Sequence, residues 1–399
     1  MSTGSFECPA RMMKILSLTS VYPSPLETGQ GLFVRARLQH LPPAAEVKVI
    51  APVWAMDRSV PGRRTDARIE VFHPRWIYIR GTGAVTAFLL FFQLIRPLRS
   101  LKKEFAFQVL DSHFGYPEGI AASLLATVLR VPFTVTLRGS ELLHSRYPLR
   151  RMLMGWALKR ASSVIAVSEQ LRQFAIALGT DPARTKTISN GIYGQSFYPQ
   201  DRDAVRRKRA LDTKQRIILS AGHLIELKGH HFAIRAVRGL LDRGVDVQLI
   251  VAGGPPGRGV ASYEGELKRL IEELKLSENV RLFGQVPRDL LIDLMSAADV
   301  FCLASSREGW PNVVHEALAC GTPVVATRVG AIPELITQDA HGFVVEPNDV
   351  AALTDALDRS LTTVWNRSNI SKWACSRSWE QVGREVLDEM NRAVSEAER

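Results

Sequence analysis

Residues 300–327 read VFCLASSREGWPNVVHEALACGTPVVAT. The segment opens on a short apolar run, Val300–Leu303, which predicts a buried strand. The apolar spacing near Val313–Cys320 predicts a helix, and Gly321 suits the position that ends it. A second β-rich run follows at Val324–Ala326. Strand, helix and strand in this order predict a right-handed βαβ unit and therefore a parallel sheet.

The same alternation extends outward over most of the chain. Further strands are predicted at Met13–Leu18, Val47–Ala51, Arg68–Phe72, Val109–Ser112, Phe133–Leu137, Ser163–Ala166, Arg216–Ser220, Val247–Ala252, Val280–Phe283 and Phe343–Val345. Helices are predicted at Ala84–Arg96, Gly119–Leu129, Arg150–Arg160 and Glu264–Leu274. Three more helices are predicted from one end each: one begins near Leu32, one ends near Arg243 and one ends near Ala298. The α/β pattern restarts after the polar segment Asp201–Gln215, so it predicts two doubly wound domains.

We place the first domain at residues 1–195 and the second at residues 205–375. The tail, residues 376–399, reads as a charged helix with one apolar stripe. A stripe of this kind needs a partner surface, and we expect the helix to pack back on the first domain. The stripe consists of Trp379, Val382, Val386 and Met390.

The composition bounds the class of protein. The chain has 399 residues, of which 46 % are hydrophobic and 23 % charged, so a disordered chain or fibre is excluded. Cys8, Cys302, Cys320 and Cys375 are far apart and predict reduced thiols and no structural zinc. No secretory signal is predicted, and the apolar stretch 81–95 is shorter than the roughly 20 residues that span a bilayer.

The positive charge is concentrated in one half. Residues 1–200 hold 25 of the 51 Lys and Arg residues but only 12 of the 40 Asp and Glu residues. Such a basic surface attracts nucleic acid, anionic lipid or phosphorylated substrates. In Arg96–Lys103 and Arg146–Arg160 the basic residues are prominent, and in the second stretch apolar residues lie among them. This pattern fits an interfacial helix, or a helix that packs on the sheet with a solvated charged face.

The loop and helix after Val300–Leu303 are the best candidate for chemistry. The carboxyl ends of parallel strands are where α/β sheets bind ligands, and a helix N-terminus there, after Pro311, binds phosphate. Glu308 lies in the loop and Glu316 one turn into the helix. A glutamate beside a phosphate site is explained if it accepts hydrogen bonds from sugar hydroxyls. Alternatively, the helix dipole alone favours Glu316 in its first turn.

Two glutamates eight residues apart in EGWPNVVHEALACGTPVVAT resemble the E-x7-E motif of retaining glycosyltransferases of family 4, also called glycosyl transferases group 1. Several other segments, in the expected order between residues 13 and 392, are similar to motifs of that family. They are His113–Gly119 (HFGYPEG), Thr136–Leu142 (TLRGSEL), Ile188–Ile192 (ISNGI), Ser220–Gly229 (SAGHLIELKG) and Val329–Leu335 (VGAIPEL).

The resemblance implies an α/β protein of the GT-B fold, with two Rossmann-like doubly wound domains facing a central cleft. The first domain would bind the acceptor and the second a nucleoside-diphosphate sugar, which is a co-substrate and not a cofactor. The implied reaction transfers a hexose with retention and without metal. The basic first half predicts, in addition, a lipid-linked or glycan acceptor in surface polysaccharide or lipopolysaccharide synthesis, and a cytoplasmic protein that is peripheral at the inner face of the plasma membrane.

The resemblance also implies residue roles. His113 would lie near the reacting carbon, Lys228 would neutralise the departing diphosphate, and Glu308 would contact the hexose. Glu316 would bind the ribose. The glycines of this set would let the backbone approach the ligand closely. The full set expected to bind the donor is Gly29, Gly31, Arg138, Asn190, Gly222, His223, Lys228, Glu308, Gly309, Asn312, Val313, Val314 and Glu316.

The chemistry of the leaving group supports the role of Lys228 independently, because a cation stabilises the charge that develops on a diphosphate. Two positions depart from the family pattern. His223 stands where many relatives have an arginine, and Asp111 stands where many have a second histidine. The only Asp-x-Asp sequence, at residues 201–203, lies in the predicted linker and has Arg202 between its carboxylates, which argues against a metal site.

Other functions remain open on the sequence alone. A nucleotide-sugar epimerase or hydrolase could use the same fold, whereas a phosphorylase would need a much longer chain and a pyridoxal-phosphate lysine. A nucleic-acid-binding protein fits the charge, but no aromatic–basic RNA motif or recognition helix supports it. A dinucleotide dehydrogenase is disfavoured, because residues 252–259 (AGGPPGRG) lack the G-x-G-x-x-G spacing and are expected to form a turn.

Overall fold

The computed structural model describes residues 12–25, 29–77, 83–255, 263–337 and 339–399. The chain divides into two compact units. The first comprises Met1–Gly191 together with Trp379–Arg399, and the second comprises Ile192–Ser378. Each unit is built from a parallel sheet covered by helices, as the alternation in the sequence predicts.

The first unit contains an eight-stranded sheet in the order β10-β9-β8-β7-β1-β2-β5-β4, in which only β4 is antiparallel to its neighbour, and a separate pair of β3 and β6. Its strands are β1 (Met13–Leu18), β2 (Ala45–Ile50), β3 (Val53–Trp54), β4 (Arg63–Asp66), β5 (Ile69–Phe72), β6 (Arg75–Trp76), β7 (Val109–His113), β8 (Phe133–Leu137), β9 (Ser163–Ala166) and β10 (Thr185–Thr187). Its first six helices are α1 (Leu32–Gln39), α2 (Val85–Phe105), α3 (Ile120–Leu129), α4 (Ser140–His144), α5 (Pro148–Arg160) and α6 (Glu169–Ala177).

The second unit contains a six-stranded, wholly parallel sheet in the order β13-β12-β11-β14-β15-β16. Its strands are β11 (Arg216–Ala221), β12 (Val247–Ala252), β13 (Val280–Gly284), β14 (Val300–Leu303), β15 (Val324–Thr327) and β16 (Gly342–Val345). Its helices are α7 (Arg202–Lys208), α8 (His230–Asp242), α9 (Glu264–Glu273), α10 (Arg288–Ala297), α11 (Asn312–Ala319), α12 (Ile332–Leu335), α13 (Val350–Thr362) and α14 (Arg367–Cys375).

In both sheets the order of the strands reverses at one point. In the first unit β1 lies between β2 and β7, and in the second unit β11 lies between β12 and β14. The connections leave such neighbouring strands towards opposite sides, so a crevice opens at their carboxyl ends. The loops after β1 and β7, and those after β11 and β14, are therefore the places in each unit where a ligand is expected.

The final helix, α15 (Trp379–Ala397), belongs to the first unit. All four residues of its apolar stripe are buried, and Met390 is fully so. A hydrogen bond from Ser163 Oγ to Glu389 Oε2, 2.9 Å long, also ties the helix to β9. Apolar burial along one stripe is the force that holds this otherwise charged helix in place.

One helix is much longer than the sequence pattern suggests. We expect a helix at residues 84–96, but α2 continues through Pro97 to Phe105. Proline at this position removes one hydrogen bond from the helix. Leu98, Leu101 and Phe105 nevertheless prolong the buried stripe of the first half, and this burial outweighs the lost bond.

Two further predictions concern cysteines and membrane spans. Cys302 and Cys320 are buried thiols and Cys375 is a half-buried one, whereas Cys8 lies outside the described residues. Burial raises the pKa of Cys302 and of Cys320 to about 12, so neither is a reactive thiolate. Among the described residues, no helix combines the length and the apolar character needed to cross a membrane.

Candidate functional site

The loops after β11 and β14 meet at the strand-order reversal of the second unit. Lys228 ends a short 3₁₀ turn after β11, and Glu308 lies in the loop after β14. Lys228 Nζ donates a 2.7 Å hydrogen bond to Glu308 Oε1, which also accepts one of 2.7 Å from Ser305 Oγ. The sequence predicts that both residues touch the donor, and the structure shows in addition that they form a mostly buried ion pair with each other.

The loop that carries Glu308 is held from two sides. The N–H of Ser306 donates to the carbonyl of Leu227, and the N–H of Ala331 donates to the carbonyl of Gly309. Gly330 has a φ of +54°, and a Cβ there would lie 2.4 Å from the carbonyl oxygen of Glu308. Only glycine fits such a close, left-handed position. The VGAIPEL segment therefore shapes the backbone of the Glu308 loop.

Glu316 lies in the second turn of α11, half-buried. Its carboxylate makes no hydrogen bond or ion pair within the described part of the chain. Desolvation raises the pKa of Glu316 to about 7, and the charge of Arg288 offsets only part of this. A desolvated carboxylate without partners is costly to the protein alone, so its position suits a ligand that donates hydrogen bonds.

The start of α11 differs from expectation at one residue. We expect free N–H groups at Asn312, Val313 and Val314, but the N–H of Val314 donates to the carbonyl of Pro311 at 2.9 Å. Val314 is also fully buried. The prediction is wrong for this residue because the first turn closes directly on Pro311. Of the other two, the N–H of Val313 makes no hydrogen bond to another described residue.

Two histidines lie in the turn after β11 or against it, and the sequence motif points only to the first. His223 is exposed, and desolvation together with the charge of Lys228 lowers its pKa. His230, at the start of α8, is buried, and desolvation lowers its pKa to about 4. Its ring lies 3.0 Å from Ser220 Oγ and 3.3 Å from the carbonyl oxygen of His223. A neutral His230 thus braces the Gly222–His223 turn, whose first N–H donates to Ala252.

His113 ends β7 at the strand-order reversal of the first unit, where the sequence places it. Its ring is fully buried and both nitrogens are engaged. Nδ1 lies 3.2 Å from Arg138 Nε, and Nε2 lies 3.2 Å from Asp111 Oδ2. Because arginine only donates, Nδ1 accepts and Nε2 carries the proton. Desolvation, and then the charge of Arg37, lower the pKa of His113 to about 3, so the ring is neutral.

Asp111 and Arg37 form a buried ion pair, which the sequence pattern does not predict. Arg37 Nη2 donates to Asp111 Oδ2 at 2.6 Å, and both side chains are at most 2 % exposed. Thr134 Oγ1 donates to Asp111 Oδ1 at 3.0 Å, which satisfies the second carboxylate oxygen. Despite the opposing effect of burial, the charge of Arg37 and the hydrogen bonds from Arg37 and His113 hold the pKa of Asp111 well below its usual value. The residue that replaces a second histidine is thus a permanent anion beside His113.

Arg138 and Asn190 extend this cluster. Arg138 Nη1 donates to Asn190 Oδ1 at 3.2 Å, and its guanidinium lies 4.8 Å from the ring centre of Phe33. Burial and the charge of Arg37 hold the pKa of Arg138 well below its usual value. Arg37 is bonded to the carboxylate of Asp111, whereas Arg138 forms no ion pair with a described residue, and the charges of Asp111 and Glu141 only partly offset the lowering of its pKa.

The two glycines after β1 have different surroundings. A Cβ on Gly29 would meet no atom within 4 Å. Gly31 has a φ of +68°, and a Cβ there would lie 2.3 Å from the carbonyl oxygen of Val21. Gly31 is therefore needed for close packing of the protein's own backbone, and its close approach to a ligand stays a prediction.

Glu118, in the HFGYPEG segment, was not singled out from the sequence as a site residue. It is 1 % exposed, and its Oε1 accepts from both the N–H and the hydroxyl of Ser20. Oε2 has no hydrogen-bond partner among the described residues. Burial raises the pKa of Glu118 to about 7. The contact between Glu118 and Ser20 joins the loops after β1 and β7. The signal that marks Glu118 is the burial of its carboxyl group, and a sequence does not reveal burial.

The described residues include no group of three or more His, Cys, Asp or Glu side chains placed to hold a metal ion. Asp201, the first carboxylate of the only Asp-x-Asp sequence, accepts a 2.7 Å hydrogen bond from the N–H of Ala204 and caps α7. The expected turn at residues 252–259 lies largely outside the described residues.

Family comparisons cover both units. Residues 28–193 match the family described as Glycosyltransferase Family 4, and residues 201–374 match Glycosyl transferases group 1. The chain is 28 % identical over 365 residues to a Bacillus subtilis protein that bears the name teichuronic acid biosynthesis glycosyltransferase TuaC. This match covers 87 % of the chain and 89 % of the relative.

Solved structures share the fold at low sequence identity. Sucrose-phosphate synthase from Thermosynechococcus elongatus has a TM-score of 0.80 at 19 % identity, covering 96 % of this chain and 99 % of that one. Anabaena Alr3699/HepE, solved in complex with UDP-glucose, has a TM-score of 0.73 at 21 % identity, with coverages of 95 % and 99 %. These likenesses show the GT-B fold, with two Rossmann-like domains, as the sequence predicts.

Proposed function

This chain belongs to the glycosyltransferases of group 1 and family 4, and from that premise we propose a specific reaction. It transfers a hexose from a nucleoside-diphosphate sugar to a lipid-linked or glycan acceptor, with retention of the anomeric configuration and without a metal ion. The product is an intermediate of a bacterial surface polysaccharide.

The observation that carries the proposal is the position and state of Glu316, Glu308 and Lys228. Lys228 and Glu308 lie in the loops after β11 and β14, and Glu316 lies on α11, which follows the second loop; doubly wound sheets bind ligands at such a reversal of strand order. Glu316 is desolvated and has no partner within the described residues, so we assign it to the ribose hydroxyls. Glu308, fixed by Ser305 and Lys228, keeps Oε2 for a hydroxyl of the hexose.

Lys228 has the chemistry that the departing diphosphate needs. An ammonium group has three N–H donors, of which Glu308 uses one, so phosphate oxygens can take the others without breaking the ion pair. The pair holds the ammonium in place before the donor binds, and preorganised charge is what stabilises a developing anion. The N–H of Val313 at the start of α11 adds a further donor.

The proposed step breaks the bond between the anomeric carbon and the phosphate oxygen and forms the bond to the acceptor oxygen on the same face. The proton of the acceptor hydroxyl passes to the departing phosphate oxygen, so no protein base is consumed. Glu308 is already bonded to Lys228 and Ser305, which favours a sugar contact over the role of a covalent nucleophile. In this step Lys228 supplies the counter-charge that a metal ion would otherwise supply.

His113 has a different part in the proposal. Its ring is neutral and buried, with Nε2–H directed to Asp111, so it does not act as an acid in the form described here. We propose that His113, together with Arg138 and Asn190, forms part of the surface that binds the acceptor. Arg138 forms no ion pair with a described residue, so its guanidinium suits an acceptor that carries phosphate groups.

The comparisons support the choice of donor and pathway. HepE was solved with UDP-glucose, which contains a hexose, and TuaC is named for the biosynthesis of teichuronic acid. We extend both properties to this chain as a proposal: a UDP-hexose is the first donor to test, and polysaccharide synthesis is the first pathway.

The surface of the first unit supports an acceptor in a membrane. On α2 the residues Val85, Phe88 and Phe92 are exposed at i, i+3 and i+7, and basic residues follow them. On α5 the residues Leu149, Met152 and Trp156 repeat that pattern. Apolar and basic residues together on exposed helices are typical of a membrane interface. We therefore propose peripheral attachment to a membrane.

A transfer assay tests the reaction. Purified protein is incubated with labelled UDP-, GDP- or ADP-hexoses and a lipid extract of bacterial membranes, without added metal and with a chelator. We expect one donor to label a lipid-extractable product, and NMR coupling constants to show the anomeric configuration of the donor. A matched variant, Lys228→Met, removes the charge but keeps the length of the side chain, and we expect product formation to fall by about 10- to 100-fold.

Three outcomes contradict the proposal. A product of opposite anomeric configuration would exclude retention, and complete dependence on a divalent cation would exclude the metal-independent step. Release of free hexose or isomerised donor at the same rate with and without acceptor would favour the hydrolase or epimerase alternative.

A further inference from the structure

A second concave surface lies in the first unit, at the opposite end of its sheet from His113. Its volume is about 770 Å³, and Gln108, Phe133 and Ser162 at the amino ends of β7, β8 and β9 form its floor. Val394, Ala397 and Glu398 of α15 form one wall. His113 and Arg138 lie at the carboxyl ends of the same strands, so this basic groove is separate from the site described above.

Five cations line the basic groove against one carboxylate, Glu398. They are Lys102, Arg130, Lys159, Arg160 and Arg184.

Most of these cations have no carboxylate partner. Within the described residues, Lys102, Arg130, Lys159 and Arg160 form no ion pair, and Arg184 reaches an exposed aspartate, Asp181, only at 3.5 Å. Arg160 is held in place without an anion. Its Nη2 donates to Thr127 Oγ1 at 3.0 Å, and its guanidinium lies 5.2 Å from the ring centre of Trp156. The groove therefore presents unneutralised positive charge at fixed positions.

An apolar surface adjoins the basic groove along α5. A neighbouring hollow of about 690 Å³ shares Lys159 and Arg160 with the groove and is also lined by Met152, Trp156 and Leu178. Met152 is 62 % exposed and Trp156 40 % exposed, so both offer apolar area to a ligand. Covering such area is favourable, at about 25 cal/mol per Å². The combination of phosphate-binding charge and adjacent apolar surface fits one chemical class, an anionic amphiphile.

We propose that the basic groove and the neighbouring face of α5 bind the phosphate headgroup of an anionic phospholipid, with Met152 and Trp156 against its acyl region. The inference rests on the membrane attachment proposed above and specifies the surface responsible for it. It assigns lipid binding to the end of the first unit that does not carry the His113 cluster. The carboxyl end therefore stays available for the acceptor sugar.

Vesicle binding without nucleotide sugar tests this inference. The protein is sedimented with phosphatidylcholine vesicles that either contain or lack phosphatidylglycerol, over a series of vesicle concentrations. We expect binding only with phosphatidylglycerol. The double variant Lys159→Gln/Arg160→Gln should weaken it by about 30-fold, because each basic residue near an anionic surface contributes roughly a fivefold factor. Trp156→Ala should weaken it by about tenfold through lost apolar contact.

A charge-matched control separates the groove from net charge. Arg269 and Lys372 are exposed in the second unit and form no ion pair with described residues. Arg269→Gln/Lys372→Gln should bind vesicles like the wild type. Equal loss in both double variants, or no loss in Lys159→Gln/Arg160→Gln, would overturn the proposal. So would equal binding to vesicles of phosphatidylcholine alone.

Inorganic phosphate distinguishes a lipid site from a soluble-anion site. If the protein binds inorganic phosphate in the groove but does not bind phosphatidylglycerol vesicles, the lipid assignment is wrong. Thermal protection by the nucleotide sugar is measured on the same variants. It should stay unchanged in Lys159→Gln/Arg160→Gln, so failure of the lipid proposal and failure of the transferase proposal give different results. Unchanged protection also shows that the variants are folded.

Discussion

Replacing Glu316 by glutamine should make the unliganded protein more stable at neutral pH and should lower its affinity for the nucleotide sugar. Desolvation raises the pKa of Glu316 from 4.5 to about 7 in the folded chain. A shift of one pKa unit corresponds to about 1.4 kcal/mol, so the full shift corresponds to about 3 kcal/mol. Because the side chain is only half-buried, we expect about 1–3 kcal/mol.

The sign of the effect depends on pH. Well below pH 4.5 the carboxyl group is largely protonated in both the folded and the unfolded chain, and Glu316→Gln should change stability little. As the pH rises towards 7, the unfolded chain ionises first, so the wild type loses stability and the variant does not. Above this range the difference is constant, and the variant should melt about 2–10 °C higher.

The assay is thermal unfolding of the wild type and Glu316→Gln at several pH values, with and without a nucleotide sugar. The conservative variant Glu272→Gln, on exposed α9 surface, is the control for removing one negative charge. If Glu316→Gln is less stable than the wild type at about pH 8, the carboxylate has structural partners and the reasoning is refuted. It is equally refuted if the variant retains full protection by the donor.

Three further changes have expected outcomes. Arg37→Met leaves Asp111 buried without its cation, so urea unfolding should show a loss of about 3–5 kcal/mol, and a loss below about 1 kcal/mol would contradict the buried-pair assignment. Gly330→Ala forces a Cβ against the carbonyl of Glu308 and should lower donor affinity measured by calorimetry; wild-type affinity would show that the loop tolerates the shift. Lys228→Met should lower donor affinity and, because it leaves the buried Glu308 without its cation, also lower the melting temperature; an unaltered dissociation constant would exclude contact with the diphosphate.

The periodicity of the sequence predicts the framework well where strands are buried on both faces. Val247–Ala252 and Val300–Leu303 are strands with the predicted bounds. Strands of this kind are short continuous apolar runs, so their ends coincide with the ends of the runs. No such apolar run marks the two-residue strands β3 and β6 or the polar strand β10, so the sequence pattern does not predict them.

The site was predictable to the extent that its residues follow strands in motifs of known spacing. Glu308 and Lys228 are 80 residues apart, yet both follow strands that neighbour each other in the sheet, and the structure joins them. Their direct ion pair was not predictable, because spacing does not give the direction of a side chain. The same holds for the free state of Glu316, which depends on the residues that desolvate it.

The buried polar network around Arg37 and Asp111 in the first unit shows more clearly what a sequence pattern does not predict. Arg37 lies on α1, and the side chains it binds lie on β7 and β8, 74 and 99 residues away. From sequence alone, an arginine in a helix is predicted to lie on the solvent-exposed face, even where it is buried in the fold. Only the packing of α1 on the sheet reveals that the arginine neutralises Asp111 and lowers the pKa of His113.

The most direct test of the account is binding of nucleotide sugars at the second unit. The protein is titrated with UDP-, GDP- and ADP-hexoses, and protection against thermal unfolding is measured for the wild type, Glu316→Gln and the surface control Glu272→Gln. The account predicts protection by one donor that is lost in Glu316→Gln and kept in Glu272→Gln. Protection that is equal in all three proteins, or absent for every nucleotide sugar even with membranes added, would contradict it.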